Sequence, residues 1–165
     1  VLIAVALAAR PSLLIADEPT TALDTTIQSQ ILDLLRSLQR EFNLSLLLIT
    51  HDLGVVASLA EKVAVMYAGK VVEYAPTSTL FSQPAHPYTE LLLDSMPKMD
   101  WPLFQSGHYF KRQNGIKKDS GCVFASRCYM ADKDCERIEP GDSTIDLQHY
   151  VKCIKKGSYE YENQI

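Results

Sequence analysis

Two carboxylates stand side by side at Asp17-Glu18, closing the apolar run Leu13-Leu14-Ile15-Ala16. Neighbouring side chains at a strand end point to opposite sides, so the two acids cannot share one task. One suits a hard cation such as Mg2+, which takes oxygen ligands and keeps several waters. The other can orient an attacking water and accept its proton. Phosphoryl transfer asks little more of a protein than such positioning and charge neutralisation. The plainer alternative is a solvated acidic pair that simply ends a strand. A second apolar run, Leu46-Leu47-Leu48-Ile49, closes in Thr50-His51-Asp52. A third set is Cys122, Cys128, Cys135 and Cys153, spaced C-x5-C-x6-C-x17-C, with no cysteine before them. Four thiols suit tetrahedral Zn2+ or an iron–sulfur cluster, although the spacing is not that of a C-x2-C finger. Two disulfides, or no shared role, remain open on chemistry alone.

The elements that must hold these residues can be read from hydrophobic periodicity. Residues 2–9 read as a buried helix, stopped near Pro11. Leu13–Ala16 and Leu46–Ile49 read as strands buried on both faces of a parallel sheet. Between them, Thr25–Phe42 places Ile27, Ile31, Leu34, Leu35 and Leu38 on one helical face, with Asp24 or Thr25 as N-cap. Strand, helix, strand is a βαβ unit, so both polar strand ends lie at the carboxyl edge where open α/β sheets bind ligands. A short helix at 53–61 follows. Val63–Tyr67 and Lys70–Tyr74 then flank Ala68-Gly69 as a hairpin, and a helix covers 89–95 with Pro87 suited to its first position.

The bulk numbers exclude several classes. Hydrophobic residues make up 47% of 165 and charged residues 22%, an ordinary globular balance. The net charge of −4 gives no global pull toward nucleic acid. Residues 1–96 hold 5 basic and 10 acidic side chains, and residues 97–165 hold 11 and 10, so the two parts differ in character. No run of apolar residues is long enough to span a membrane. The opening VLIAVALAAR has the apolar character of a signal peptide but neither an initiator Met nor a basic leader. We read it as a helix, and expect a chain that starts mid-domain.

The run Leu13–Asp24, LLIADEPTTALD, is similar to the Walker B strand and D-loop of an ABC ATPase, and His51 in LLLITHD resembles the switch histidine of that family. The resemblance implies an α/β fold: part of a P-loop NTPase parallel sheet with its helices, plus a small Cys-rich C-terminal extension. It implies Asp17 as the Mg2+-associated aspartate and Glu18 as the general base. Asp24 would be the D-loop aspartate that communicates with a second ATPase subunit, and His51 a contact to the γ-phosphate of ATP. The segment Gln83–Thr89, QPAHPYT, resembles the signature of ATPases serving oligopeptide, dipeptide and nickel importers, with no catalytic role assigned to His86. The cysteines, with Gly121, Phe124, Arg127, Pro140 and His149, resemble the C-terminal extension of the same ATPases, where four cysteines are associated with a 4Fe–4S cluster; Zn2+ is the alternative. Arg127 and Lys133 would offset the charge of such a cluster or face solvent, and His149 reads as a surface residue.

By this reading residues 1–96 are the C-terminal part of the ATPase domain, 97–120 a linker, 121–155 the Cys-rich extension and 156–165 a tail. The stretch Trp101–Lys118 matches no family motif. Implied partners are a second ABC ATPase subunit, two transmembrane permease subunits and, indirectly, an extracytoplasmic peptide-binding protein, with the chain at the cytoplasmic face of the plasma membrane. No G-x-x-x-x-G-K-S/T loop occurs, no glycine-rich signature segment occurs, and none of the seven glycines is arranged to cradle phosphates. The isolated chain is therefore expected neither to bind ATP tightly nor to hydrolyse it. Two other classes stay open: a metal-binding or redox-sensing module carrying a non-catalytic ATPase remnant, and a non-transport ABC ATPase. The intact Asp17, Glu18, Asp24 and His51 speak against the first, and the His-Pro-Tyr segment with its cysteines against the second.

Overall fold

The computed structural model describes residues 2–96, 107–108 and 120–157. Most of the expected linker 97–120, the stretch Trp101–Lys118 apart from residues 107 and 108, and the tail beyond Gly157 lie outside the described residues. The chain divides into two compact units, Val1–Ala60 and Glu61–Ile165.

In the first unit the opening helix α1 (Leu2–Leu7) leads to strand β1 (Leu13–Asp17), helix α2 (Thr25–Phe42), strand β2 (Ser45–Ile49) and helix α3 (Leu53–Leu59). The strands pair in parallel and in register, Leu13 opposite Ser45 and Asp17 opposite Ile49. Parallel neighbours need a crossover, and α2 supplies it. The Asp24 carboxylate starts α2 by accepting from the amides of Thr26 and Ile27, both at 3.0 Å. Asn43, in the left-handed region, ends it. Leu14, Leu35 and Leu44 form the core, with Leu7, Ile31, Leu38 and Leu46 packed against them. Burying each such side chain contributes about 2 kcal/mol.

Three expectations change here. The inner stripe of α2 is turned toward Leu32, which is buried, while Ile27 and Leu34 are exposed. The cause is α3: Gln28, Leu32 and Arg36 form one i, i+4 row, and Gln28 Nε2 donates to Asp52 Oδ2 at 3.1 Å while Arg36 Nη2 donates to the Ser58 carbonyl at 2.6 Å. Nor are the strands buried on both faces. Leu13, Ile15, Leu47 and Ile49 are exposed, Ile15 by 58%, because the cluster beneath Leu14 and Leu46 covers only the opposite face. Helix α1 is largely open as well: Val5 is 67% exposed, and Leu7 is the residue that joins the core.

The second unit is built on the hairpin of β3 (Lys62–Tyr67) and β4 (Lys70–Pro76). Ala68 and Gly69 both have positive φ, 48° and 78°, the twist that a two-residue hairpin turn requires. Helices α4 (Thr77–Ser82) and α5 (Pro87–Asp94) follow. Two short strands near the C-terminal end, β5 (Ser143–Asp146) and β6 (His149–Val151), complete an antiparallel sheet in the order β3-β4-β6-β5. The Cys-rich region therefore borrows its core from the hairpin: Val151 lies opposite Glu73, and Val72, Phe124 and Val151 are all buried. Among the described residues no helix is long and apolar enough to cross a membrane.

Candidate functional site

The parallel register brings the polar ends of β1 and β2 to one edge. The Glu18 amide donates to the Ile49 carbonyl at 2.8 Å, extending the ladder one residue beyond Asp17. The chain then turns sharply, and Glu18 adopts φ +48°, a conformation uncommon for a residue with a side chain. Its carboxylate is held from two sides. His51 Nδ1 lies 2.8 Å from Oε1, and the Thr21 hydroxyl donates to Oε2 at 2.7 Å. The Thr21 hydroxyl first, and His51 next, hold the Glu18 carboxyl below its ordinary range. In return, the bond from Glu18 and its charge raise His51 above the usual imidazole value. Asp17 ends β1 in an exposed position beside this pair. Asp24 spends its Oδ1 on the cap of α2, and Asp52 caps α3 in the same manner through the amides of Gly54 and Val55. Glu18 and His51 are thus brought together, and Asp24 stands one turn away in sequence, committed to its helix. Sequence reasoning missed Thr21; its signal is a hydroxyl three residues after a carboxylate in a turn, a common local bonding pattern.

The second constellation lies in the other unit. Cys122, Cys128, Cys135 and Cys153 line one small cavity together with His86 and Phe124, and all four are free thiols. Gly121 makes this possible. Its φ is +82°, and a Cβ there would sit 2.5 Å from the Glu136 backbone, so only glycine lets the Cys122 amide reach the Cys135 carbonyl at 2.8 Å. The Met130 amide donates to Cys128 Sγ at 3.4 Å. Asp132 accepts from the amides of Asp134 and Cys135, both at 3.1 Å, and pairs with Lys155. Burial pushes the Cys128 thiol up to about 11 and raises Cys135 and Cys153 as well. Among the described residues, no three His, Cys, Asp or Glu side chains form a group arranged to hold a metal ion. Arg127 lies over the Phe124 ring at 5.9 Å, and Lys133 is exposed.

The His-Pro-Tyr segment starts a helix with Pro87 in its first turn, as read in sequence, whereas His149 comes out differently from its surface reading. His86 is buried and caps α5, its Nδ1 accepting from the Tyr88 amide at 3.0 Å; burial pushes its pKa down to about 4. Glu73, which sequence reasoning passed over, is fully buried and accepts from the amides of Ala85 and His86 at 2.7 and 2.9 Å. Its Oε1 also meets His149 Nε2. His149 is therefore interior, paired beneath the sheet rather than at the surface. The hint in sequence was position: Glu73 sits in the register row of Val65 and Val151, both buried.

Residues 72–135 match the family model described as the oligopeptide/dipeptide transporter, C-terminal region. The chain is 47% identical over 158 residues to the dipeptide transport ATP-binding protein DppD of Bacillus subtilis (strain 168), covering 93% of this chain and 46% of that protein. It is 47% identical over 162 residues to the oligopeptide transport ATP-binding protein AppD of the same organism, covering 93% and 47%. Over 144 residues it is 48% identical to the oligopeptide transport ATP-binding protein OppD of Salmonella typhimurium (strain LT2), covering 85% and 42%. The chain spans about half the length of the curated relatives it matches.

Proposed function

We propose that the chain belongs to the oligopeptide/dipeptide importer ATP-binding family and is part of the ATP-hydrolysing, energy-coupling subunit of an ABC importer for di- and oligopeptides. The observation that carries the reading is the 2.8 Å contact of Glu18 with His51 at the carboxyl ends of two parallel strands. Asp17, exposed beside it, associates with Mg2+–ATP. Bound Mg2+ would neutralise charge on the phosphates being separated. Glu18 orients the attacking water and takes its proton. His51 steadies Glu18 through Nδ1 and presents the rest of an exposed ring to the γ-phosphate. Asp24, by capping α2, fixes the turn that faces a second ATPase subunit. The importer's further partners are two transmembrane permease subunits and, outside the cell, a peptide-binding protein, which places this subunit at the cytoplasmic face of the membrane.

The phosphate loop and the glycine-rich signature are absent from these 165 residues, so this chain alone neither binds ATP tightly nor hydrolyses it. The coding sequence upstream of Val1 tests the reading. Both motifs should stand there in frame, and the longer protein should hydrolyse ATP and lose about a hundredfold or more with Glu18→Gln. Absence of both motifs, or a Glu18→Gln enzyme as fast as wild type, would overturn it.

For the cavity, we propose a 4Fe–4S cluster on Cys122, Cys128, Cys135 and Cys153: the four thiols line one space and an amide donates to one of them, although the four must draw closer than they stand here to share a metal. When bound, such a cluster would crosslink the extension through its thiolates. A brown protein with four irons per chain after anaerobic purification supports the cluster. Stoichiometric Zn2+ without iron would assign the site to zinc.

A further inference from the structure

We propose that Thr21 is a positioning residue for the Glu18 carboxylate during water activation; the proposal rests on the ATPase reading above. Glu18 stands where a strand breaks into a turn, with a left-handed φ of 48° and a side chain 37% exposed. A side chain so placed stays partly open to water, and a free Glu side chain loses substantial rotamer entropy on being fixed. Thr21 ties it twice. Its amide donates to the Glu18 carbonyl at 3.1 Å, closing the turn, and its hydroxyl donates to Oε2 at 2.7 Å. His51 meets Oε1 from the neighbouring strand end, so each oxygen has one donor and the carboxylate plane is defined from both sides. A carboxylate oxygen accepts more than one hydrogen bond, so a water can still donate to Glu18 while both ties hold. Thr21 itself is exposed. Its methyl group packs no core, which leaves the hydroxyl as the part that acts.

The test uses the whole ATPase encoded by the reading frame that contains these residues, comparing Thr21→Val, Thr21→Ser and wild type. Valine keeps the shape and removes the donor; serine keeps the donor and removes the methyl. Thr21→Val should lower kcat about tenfold, the size expected for losing one hydrogen bond to a charged group. KM for ATP should stay within about twofold, and Thr21→Ser should restore kcat, since the loss lies in orienting the base and not in nucleotide binding. Thermal midpoints of the three proteins separate this from misfolding, and an exposed position should leave them alike. Wild-type kcat in Thr21→Val, or Thr21→Ser as slow as Thr21→Val, overturns the proposal. A wild-type enzyme with no Glu18-dependent hydrolysis removes the ATPase reading itself, and the proposal falls with it; that failure shows in the wild type and not in the comparison of variants.

Discussion

Oε1 of Glu73 lies 2.7 Å from Nε2 of His149, and neither side chain is more than 2% exposed. The contact joins β4 to β6 across 76 positions of sequence. The same carboxylate also receives the amides that open α5, so one buried acid fastens three segments.

Replacing Glu73 with Ala strands two amides and an imidazole away from water. Leaving buried donors unpaired is expensive, and we expect a loss of about 3–5 kcal/mol in urea unfolding. Glu73→Gln, which can still accept but presents an NH2 group to one donor, should lose less. A Glu73→Ala protein within about 1 kcal/mol of wild type would rule out the fastening role.

Gly121→Ala puts a methyl group into the Glu136 backbone at a left-handed position. The Cys122–Cys135 contact should open, and the burial of the cysteines should go with it. Under native, metal-free conditions the wild-type thiols should react slowly with a thiol reagent, and those of Gly121→Ala at least about tenfold faster, as local opening predicts. Equal rates would mean that the loop tolerates the added carbon.

The imidazole of His51 should titrate above the ordinary value of 6.5 by NMR and fall back toward it in Glu18→Gln. The sign follows from the direction of each shift. His51, raised when folded, contributes stability that is complete below 6.5 and lost as pH climbs through its folded value. Glu18, lowered when folded, contributes above 4.5 and loses that contribution as pH drops through its folded value. Between those limits both partners favour their charged forms. A midpoint unchanged by Glu18→Gln would mean that the contact is not made in solution.

His86 runs the other way. Buried and neutral, with a folded value of about 4, it resists the protonation that the unfolded chain accepts at 6.5. Stability should therefore decline as pH falls below 6.5, by about 3 kcal/mol over the full window from this group. His86→Asn keeps an acceptor for the Tyr88 amide and removes the titration. It should flatten the dependence of the thermal midpoint between pH 7 and pH 4.5. Identical slopes in the two proteins would place the acid sensitivity elsewhere.

Much of this molecule can be read before it is seen. The βαβ order, the helix Thr25–Phe42, the hairpin and the placing of both polar strand ends at one edge all follow from apolar period and chain direction. Residues whose roles depend on partners far along the chain were less legible. Glu73 looks like any polar residue of a strand until β6 arrives beside it, and His149 reads as surface because its partner lies 76 residues earlier. The direction faced by α2 was off by part of a turn because the stripe alone does not reveal that α3 packs along Gln28 and Arg36. Strands β5 and β6 escaped notice because four and three residues carry too little alternation to register.

The open side of the β1–β2 pair has a consequence for anyone who handles this chain. Leu13, Ile15, Leu47 and Ile49 lie on one face with no side chain of the first unit's core over them. An apolar surface of that kind is satisfied by whatever apolar surface it meets first. In a tube holding only these 165 residues, the most abundant candidate is another copy. The melting temperature should then rise with protein concentration, as mass action requires when association favours the folded form.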